Sequence, residues 1–156
     1  YLVLRTSWVY GAEGKNFLLT ILRLAAEKPE LRIVDDQWGA PTWSRDIAAA
    51  TASISDRWQK DGFADAKSGV YHMTAAGRTS WYGFAAEAIR LRLQSAQEVE
   101  FARLSPISSA EYPTPAERPK NSQLDCGKLK RVFDCRLPDW KTSLATCVAT
   151  LGTVAS

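Results

Sequence analysis

Histidine is almost missing from this 156-residue chain. His72 is the only one, and the three cysteines, Cys126, Cys135 and Cys147, show no Cys-x-x-Cys spacing. That set is too sparse for a His/Cys metal centre, and an odd number of unclustered thiols reads as reduced cysteine in a cytosol. No apolar run approaches the ~20 residues that cross a bilayer. The first residues also lack the basic, apolar, small-residue order of a secretion signal. The expectation is a cytoplasmic protein with no membrane partner. A Gly-x-Gly-x-x-Gly loop is absent, and Gly11-x-x-Gly14-Lys15-Asn16 has neither the spacing nor the Ser/Thr of a phosphate loop. Twenty Lys+Arg against seventeen Asp+Glu give a net charge of +3 with no basic cluster, so nucleic acid is not an expected partner. None of the five tyrosines (Tyr1, Tyr10, Tyr71, Tyr82, Tyr112) has a Lys four residues on.

What is present is an ordinary globular composition, 46% hydrophobic and 24% charged, in a length suited to one domain over residues 1–156. Tyr1-Leu2-Val3-Leu4 reads as the inside of a buried strand already under way, which suggests a fragment of a longer protein. Asn16 opens a helix of about 11 residues through Phe17, Ile21, Leu24 and Ala25 that Pro29 stops. Leu31–Val34 reads as a strand, and Asp35–Thr42 as a loop with exposed polar groups. Ser44 is a candidate N-cap for a helix with Ile47, Thr51, Ile54 and Trp58 on one face. Val70–Thr74 reads as a strand, parallel to the first through a crossover that is expected to be right-handed. Thr79 or Ser80 then caps a helix through Phe84, Ala85, Ala88, Ile89 and Leu93, and Val99 with Phe101 alternates as a further strand. The stretch 105–122 holds four prolines, too many for a helix interior or a central strand. Asp125 caps a short helix carrying Leu129, Val132 and Phe133, and Pro138-Asp139 opens a last one carrying Trp140, Leu144, Cys147, Val148 and Leu151. The fold class is α/β. His72 in its strand and Cys147 on its helix face read as packed residues, and no residue of the chain reads as catalytic or metal-binding.

Four segments in order carry a resemblance: RTSWVYG (Arg5 to Gly11), VDDQWGAPTW (Val34 to Trp43), YPTPAERPKNS (Tyr112 to Ser122) and LPDW (Leu137 to Trp140). Together they resemble the C-terminal half of the dTDP-4-dehydrorhamnose reductase family, which belongs to the extended short-chain dehydrogenase/reductases, over nearly all 156 residues. The resemblance implies the C-terminal part of a Rossmann-type enzyme: two parallel sheet strands plus a small mixed α/β substrate-binding lobe. Such enzymes use NADPH or NADH to reduce the 4-keto group of dTDP-6-deoxy-L-lyxo-4-hexulose, giving dTDP-L-rhamnose. Their Gly-rich loop and Tyr-x-x-x-Lys pair lie in the N-terminal Rossmann half, and neither is in this sequence. The isolated chain is therefore expected to be inactive and to bind no cofactor by itself, with the dTDP-sugar and the other half of the enzyme as partners. The same extended family contains non-catalytic regulatory subunits, which is the alternative reading.

Ligands of open α/β sheets bind beyond the carboxyl ends of the strands, where Thr6, Ser7 and Trp8 stand. The resemblance places Thr6 and Ser7 near the nicotinamide and Trp8 against the hexose. An indole offers a deoxysugar an apolar wall and an N–H, or it is core. Asn16 and Phe17, at a helix start, suit a phosphate or the thymine ring, Phe17 equally the core. Gln37 suits ring hydroxyls or a base edge, or is a solvated loop residue. Arg118 matches the Arg that related sugar-nucleotide enzymes place on the diphosphate, and a planar fork of donors fits that task. Arg5 and Asp36 read as structural pairing groups. Strand 1–5 is apolar on both faces, with one neighbour at 70–74 and the other in the implied N-terminal half, so the chain is expected to self-associate along that edge.

Overall fold

The computed structural model describes residues 1–62, 64–95, 101–116 and 118–151. The chain begins with β1 (Leu2–Arg5), β2 (Val9–Tyr10), α1 (Phe17–Glu27), β3 (Glu30–Val34), β4 (Trp38–Gly39), β5 (Thr42–Trp43) and α2 (Ser44–Lys60). It continues through β6 (Gly69–His72), β7 (Thr79–Ser80), α3 (Trp81–Ser95), β8 (Arg103–Ile107), α4 (Gly127–Phe133) and α5 (Trp140–Thr150). β1 pairs with β6, β2 with β5 and β3 with β8, all parallel, while β4 and β7 are antiparallel. This is an α/β arrangement, and β1 beside β6 is the parallel pair expected from sequence.

Local chemistry accounts for most helix starts. The Asn16 side chain accepts from Leu19 N–H at 3.2 Å, and α1 runs 11 residues from that cap. Ser80 Oγ accepts from Gly83 N–H at 3.0 Å, and Asp139 Oδ1 accepts from Lys141 N–H at 2.9 Å. Each such cap contributes ~1 kcal/mol. Asp125 is not the cap of α4: the N-cap position is Cys126, which makes no side-chain capping bond, and Asp125 Oδ1, one residue earlier, takes Gly127 N–H at 2.7 Å. Ser44 is not a cap: the extended residue before α2 is Trp43, whose side chain makes no capping bond, because β5 runs up to the helix and leaves Ser44 as its first residue.

Three apolar clusters hold these elements together. Tyr10, Leu18, Phe84, Trp140, Leu144 and Cys147 join α1, α3 and α5. Ile21, Ala25, Leu31, Ile33, Ala85 and Ile89 pack α1 and α3 on β3. Ile54, Tyr71, Met73, Leu129, Phe133 and Leu137 close α2 and α4 over β6. Each fully buried large side chain contributes roughly 1.5–3 kcal/mol of transfer free energy. Leu93 departs from the expected buried face of α3 and is half exposed.

The strand expected around Phe101 starts two residues later, at Arg103, and Val99 lies outside the described residues. Pro106 sits inside that strand, which pairs with β3 alone among the described residues and so is not the central strand that the prolines were expected to exclude. Arg103 N–H donates to Pro29 O and Ile107 O accepts from Asp35 N–H, so alternate residues face β3. The nitrogen of Pro106 then points to the open edge, where a missing donor costs nothing.

Candidate functional site

The backbone after β1 is fixed on both sides of a strained residue. Arg5 O accepts from Met73 N–H at 2.8 Å, and Trp8 O accepts from Thr42 N–H at 3.0 Å. Between them Trp8 has φ 51, a left-handed conformation uncommon for a bulky side chain. Strain of this kind persists only where the surroundings over-determine it. Ser7 Oγ donates to Ser122 O at 3.2 Å, which joins the end of β1 to the end of the proline-rich stretch. Thr6 is exposed.

Residues 35–43 are not the exposed loop expected from their composition. Gln37 and Gly39 to Trp43 are buried, because the backbone is paired on two sides. β4 is matched with β7, Trp38 opposite Ser80 and Gly39 opposite Thr79. Trp38 N–H donates to Lys120 O at 2.8 Å, and Ser122 N–H donates to Trp38 O at 2.7 Å. Thr42, fully buried, donates through Oγ1 to Ala40 O and accepts from Ala75 N–H. The two aspartates anchor the segment. Asp35 accepts from Ser80 Oγ, and Asp36 accepts from both Ser109 N–H and Ser109 Oγ at 2.8 Å. The Ser109 hydrogen bonds hold the Asp36 carboxyl below its ordinary value, with Lys120 assisting at 3.8 Å. Asp36 is thus a pairing group, as expected.

These pairings converge on a ring stack. Trp81, the residue after β7, lies on Trp8 with centroids 3.7 Å apart and planes 13° from parallel. On its other side Gly39 is so near that an added methyl would lie 2.6 Å from Cε2, 2.9 Å from Cδ2 and 3.0 Å from Cζ2 of Trp8. Two of those atoms are at the ring fusion, so Gly39 covers the indole face opposite Trp81. An open ring face against the hexose is therefore not what this geometry offers; the edge of Trp8 is what remains. At the rim, Arg78 lies 4.6 Å above the exposed ring of Trp38.

The other residues singled out in the sequence divide. Phe17 packs on Trp81 at 4.6 Å and Phe84 at 5.6 Å, partly buried in the core that backs the stack. The Asn16 amide is engaged locally: Oδ1 caps α1, and Nδ2 donates to Gly11 O and Glu13 O. Gln37 is only 9% exposed, next to Trp38. Arg118 is exposed on the stretch that leads into the Lys120–Ser122 pairing. His72 Nδ1 lies 3.2 Å from Asp125 O, and Cys147 is in the core, where burial pushes its thiol up to about 11. Among the described residues no group of His, Cys, Asp and Glu could hold a metal, and no helix is long and apolar enough to cross a membrane. A cleft of about 320 Å³ between α2 and Asp134–Pro138 contains none of the expected site residues. Sequence reasoning missed Trp81, Gly39 and Trp38. A tryptophan right after a capping serine was the local signal for Trp81; the stack itself joins positions 73 apart and has none.

The sequence model of the RmlD substrate binding domain matches residues 1–153. A dTDP-4-dehydrorhamnose reductase of Burkholderia thailandensis is 47% identical over 154 residues, which is 97% of this chain and 52% of that protein. The crystal structure of a dTDP-4-dehydrorhamnose reductase from Clostridium acetobutylicum superimposes with TM-score 0.82 at 33% identity, over 98% of this chain and 49% of that one. A Bacillus anthracis dTDP-4-dehydrorhamnose reductase in complex with NADP gives TM-score 0.81 at 28% identity, over 96% and 48%. The chain spans about half the length of the relatives it matches.

Proposed function

Because this chain belongs to the RmlD substrate binding domain family, we infer that it is the sugar-nucleotide-binding portion of a dTDP-4-dehydrorhamnose reductase. The observation that carries this reading is the family match over residues 1–153, which takes in all four signature segments. The structure supports it by bringing three of them together: Ser7 and Trp8 from the first, Trp38 and Gly39 from the second, and Ser122 from the third.

The residues of the chain fit one end of a nicotinamide dinucleotide and not the other. Thr6 presents a hydroxyl beyond β1, and that of Ser7, which donates to Ser122 O, is left there as an acceptor, but no Gly-rich loop is available for the diphosphate. When bound in a complete reductase, the nicotinamide supplies the hydride that reduces a keto sugar. What this chain contributes is recognition. The indole N–H of Trp8 and the amide of Gln37 suit sugar hydroxyls, and the Arg118 guanidinium suits a diphosphate by two parallel charge-assisted bonds. Phe17, placed against Trp81 and Phe84, supports the site from the core. No Tyr-x-x-x-Lys is present, so the proton for the new hydroxyl comes from outside these residues.

Calorimetry with the purified chain tests this directly. Saturable binding of dTDP-L-rhamnose and dTDP, with no NADPH-dependent reduction of the keto sugar, is the expected result. Absence of binding to both ligands at millimolar concentration would overturn the assignment.

A further inference from the structure

We propose that Trp81 and Gly39 are positioning residues which clamp the Trp8 indole between them, so that Trp8 offers a ligand its N–H edge and not its ring face. The inference rests on the sugar-nucleotide reading above and adds to it how one recognition group is aimed.

Three independent observations meet on Trp8. Its backbone is left-handed at φ 51, which directs the side chain away from the course β1 would otherwise give it. Trp81 covers one indole face at 3.7 Å and 13°, close to full overlap. Gly39 covers the other so closely that any side chain there would have to displace the ring. Glycine is thus required at position 39 for close approach, because its φ is not in the region reserved for glycine. The clamp is itself anchored: Gly39 is opposite Thr79 in the β4–β7 pair, and Ser80, one residue before Trp81, is bonded to Asp35 and caps α3.

A side chain held this way has one degree of freedom fewer to lose on binding than a free indole, so its donor is presented ready for use. Trp8 is half-buried, and among the described residues no acceptor meets its Nε1–H. A sugar hydroxyl is an acceptor of the right kind.

The test compares the wild-type chain with Trp81→Ala, Trp81→Phe and Trp8→Phe, using dTDP and dTDP-L-rhamnose as probes. Two stacked indoles give an exciton couplet in circular dichroism, which reports the clamp without any ligand. Trp81→Ala should abolish the couplet and weaken dTDP-L-rhamnose roughly threefold to tenfold, the size of one neutral hydrogen bond, with dTDP changed by less than about twofold. Trp81→Phe should restore most of that affinity although the couplet stays lost. Trp8→Phe, which keeps a ring in the stack but removes the N–H, should show the same selective weakening. Wild-type affinity for dTDP-L-rhamnose in Trp81→Ala or Trp8→Phe would overturn the clamp while leaving the binding function intact. Equal weakening of both probes in Trp81→Ala and Trp81→Phe would also overturn it, by showing a general packing role. A wild-type chain with the couplet that binds neither probe would overturn the sugar-nucleotide reading and the recognition role of the clamp together.

Discussion

Val3 and Val70 stand directly opposite each other across the β1–β6 pair, and 45% and 42% of their surfaces are exposed. Tyr1, 74% exposed, extends the same apolar strip. Among the described residues β6 is the only strand beside β1, which leaves one edge of β1 with unpaired backbone groups. A strand edge next to apolar surface pairs with what is available, and two identical edges meet antiparallel about a two-fold axis. Light scattering of the purified chain at micromolar concentration should report a dimer or larger, and Val3→Lys should shift it toward monomer. A wild-type monomer at that concentration would contradict the expectation.

Thiol chemistry should separate the three cysteines. Cys147 is fully buried, with its thiol pushed up to about 11 by burial, whereas Cys126 and Cys135 are partly exposed. The thiolate is the reacting form, so Cys147 should stay unmodified by a thiol reagent at pH 8 until denaturant is added. Labelling of Cys147 in the folded chain, read by mass spectrometry, would show that α5 opens far more readily than its packing implies.

The Asp36–Ser109 bond makes a pH prediction. The Asp36 carboxyl is held below its ordinary value of 3.8 chiefly by Ser109. A depressed carboxylate adds stability that is fully present above its unfolded value and disappears as pH falls through the folded one. Stability of the wild-type chain should therefore drop below about pH 4, and Asp36→Asn should flatten that drop while lowering stability at pH 7. Identical acid profiles for the two proteins in denaturant titrations would refute the assignment.

Leu144 is wholly buried between α3 and α5. Leu144→Ala should cost about 2–5 kcal/mol through lost transfer free energy and the cavity left behind, measured by denaturant unfolding. A cost below about 1 kcal/mol would mean that this core is loosely packed.

How much of this could be read from the sequence depends on the range of the interaction. α1 was legible because its cap, Asn16, and its apolar spacing lie within one segment. The β1–β6 pair was legible as two apolar runs, but the expectation that β1 is buried on both faces fails, because the face carrying Tyr1, Val3 and Val70 is exposed. Residues 35–43 look polar and turn-rich, yet Gln37 and Gly39 to Trp43 are buried because Lys120, Ser122 and Thr79–Ser80 take up backbone groups of the segment, and those partners are 40 or more residues away. Pro106 fits in β8 because that strand pairs on one side only, and a proline is tolerated where its nitrogen faces the open edge. At the site, Trp8, Gln37 and Arg118 stood out as residue types suited to a sugar nucleotide. The stack of Trp8 on Trp81 did not, since nothing local to either residue announces it.

Arg118 gives a substitution test of the ligand's charged end. Removing a charge-assisted contact of roughly 1.5–3 kcal/mol by Arg118→Ala should weaken dTDP and dTDP-L-rhamnose alike, about 10- to 150-fold. Because Arg118 is exposed and outside the core, the fold should be unchanged by circular dichroism. Unaltered affinity for both ligands would remove Arg118 from the site.

The most direct measurement is a titration of the isotopically labelled chain with dTDP-L-rhamnose followed by NMR. The account predicts saturable shifts of the Trp8 indole N–H, the Gln37 side-chain amide and the backbone amides around Arg118 and Lys120, all with one Kd. Shifts confined to the cleft lined by Asp46, Arg57 and Cys135, or no shifts at millimolar ligand, would contradict it.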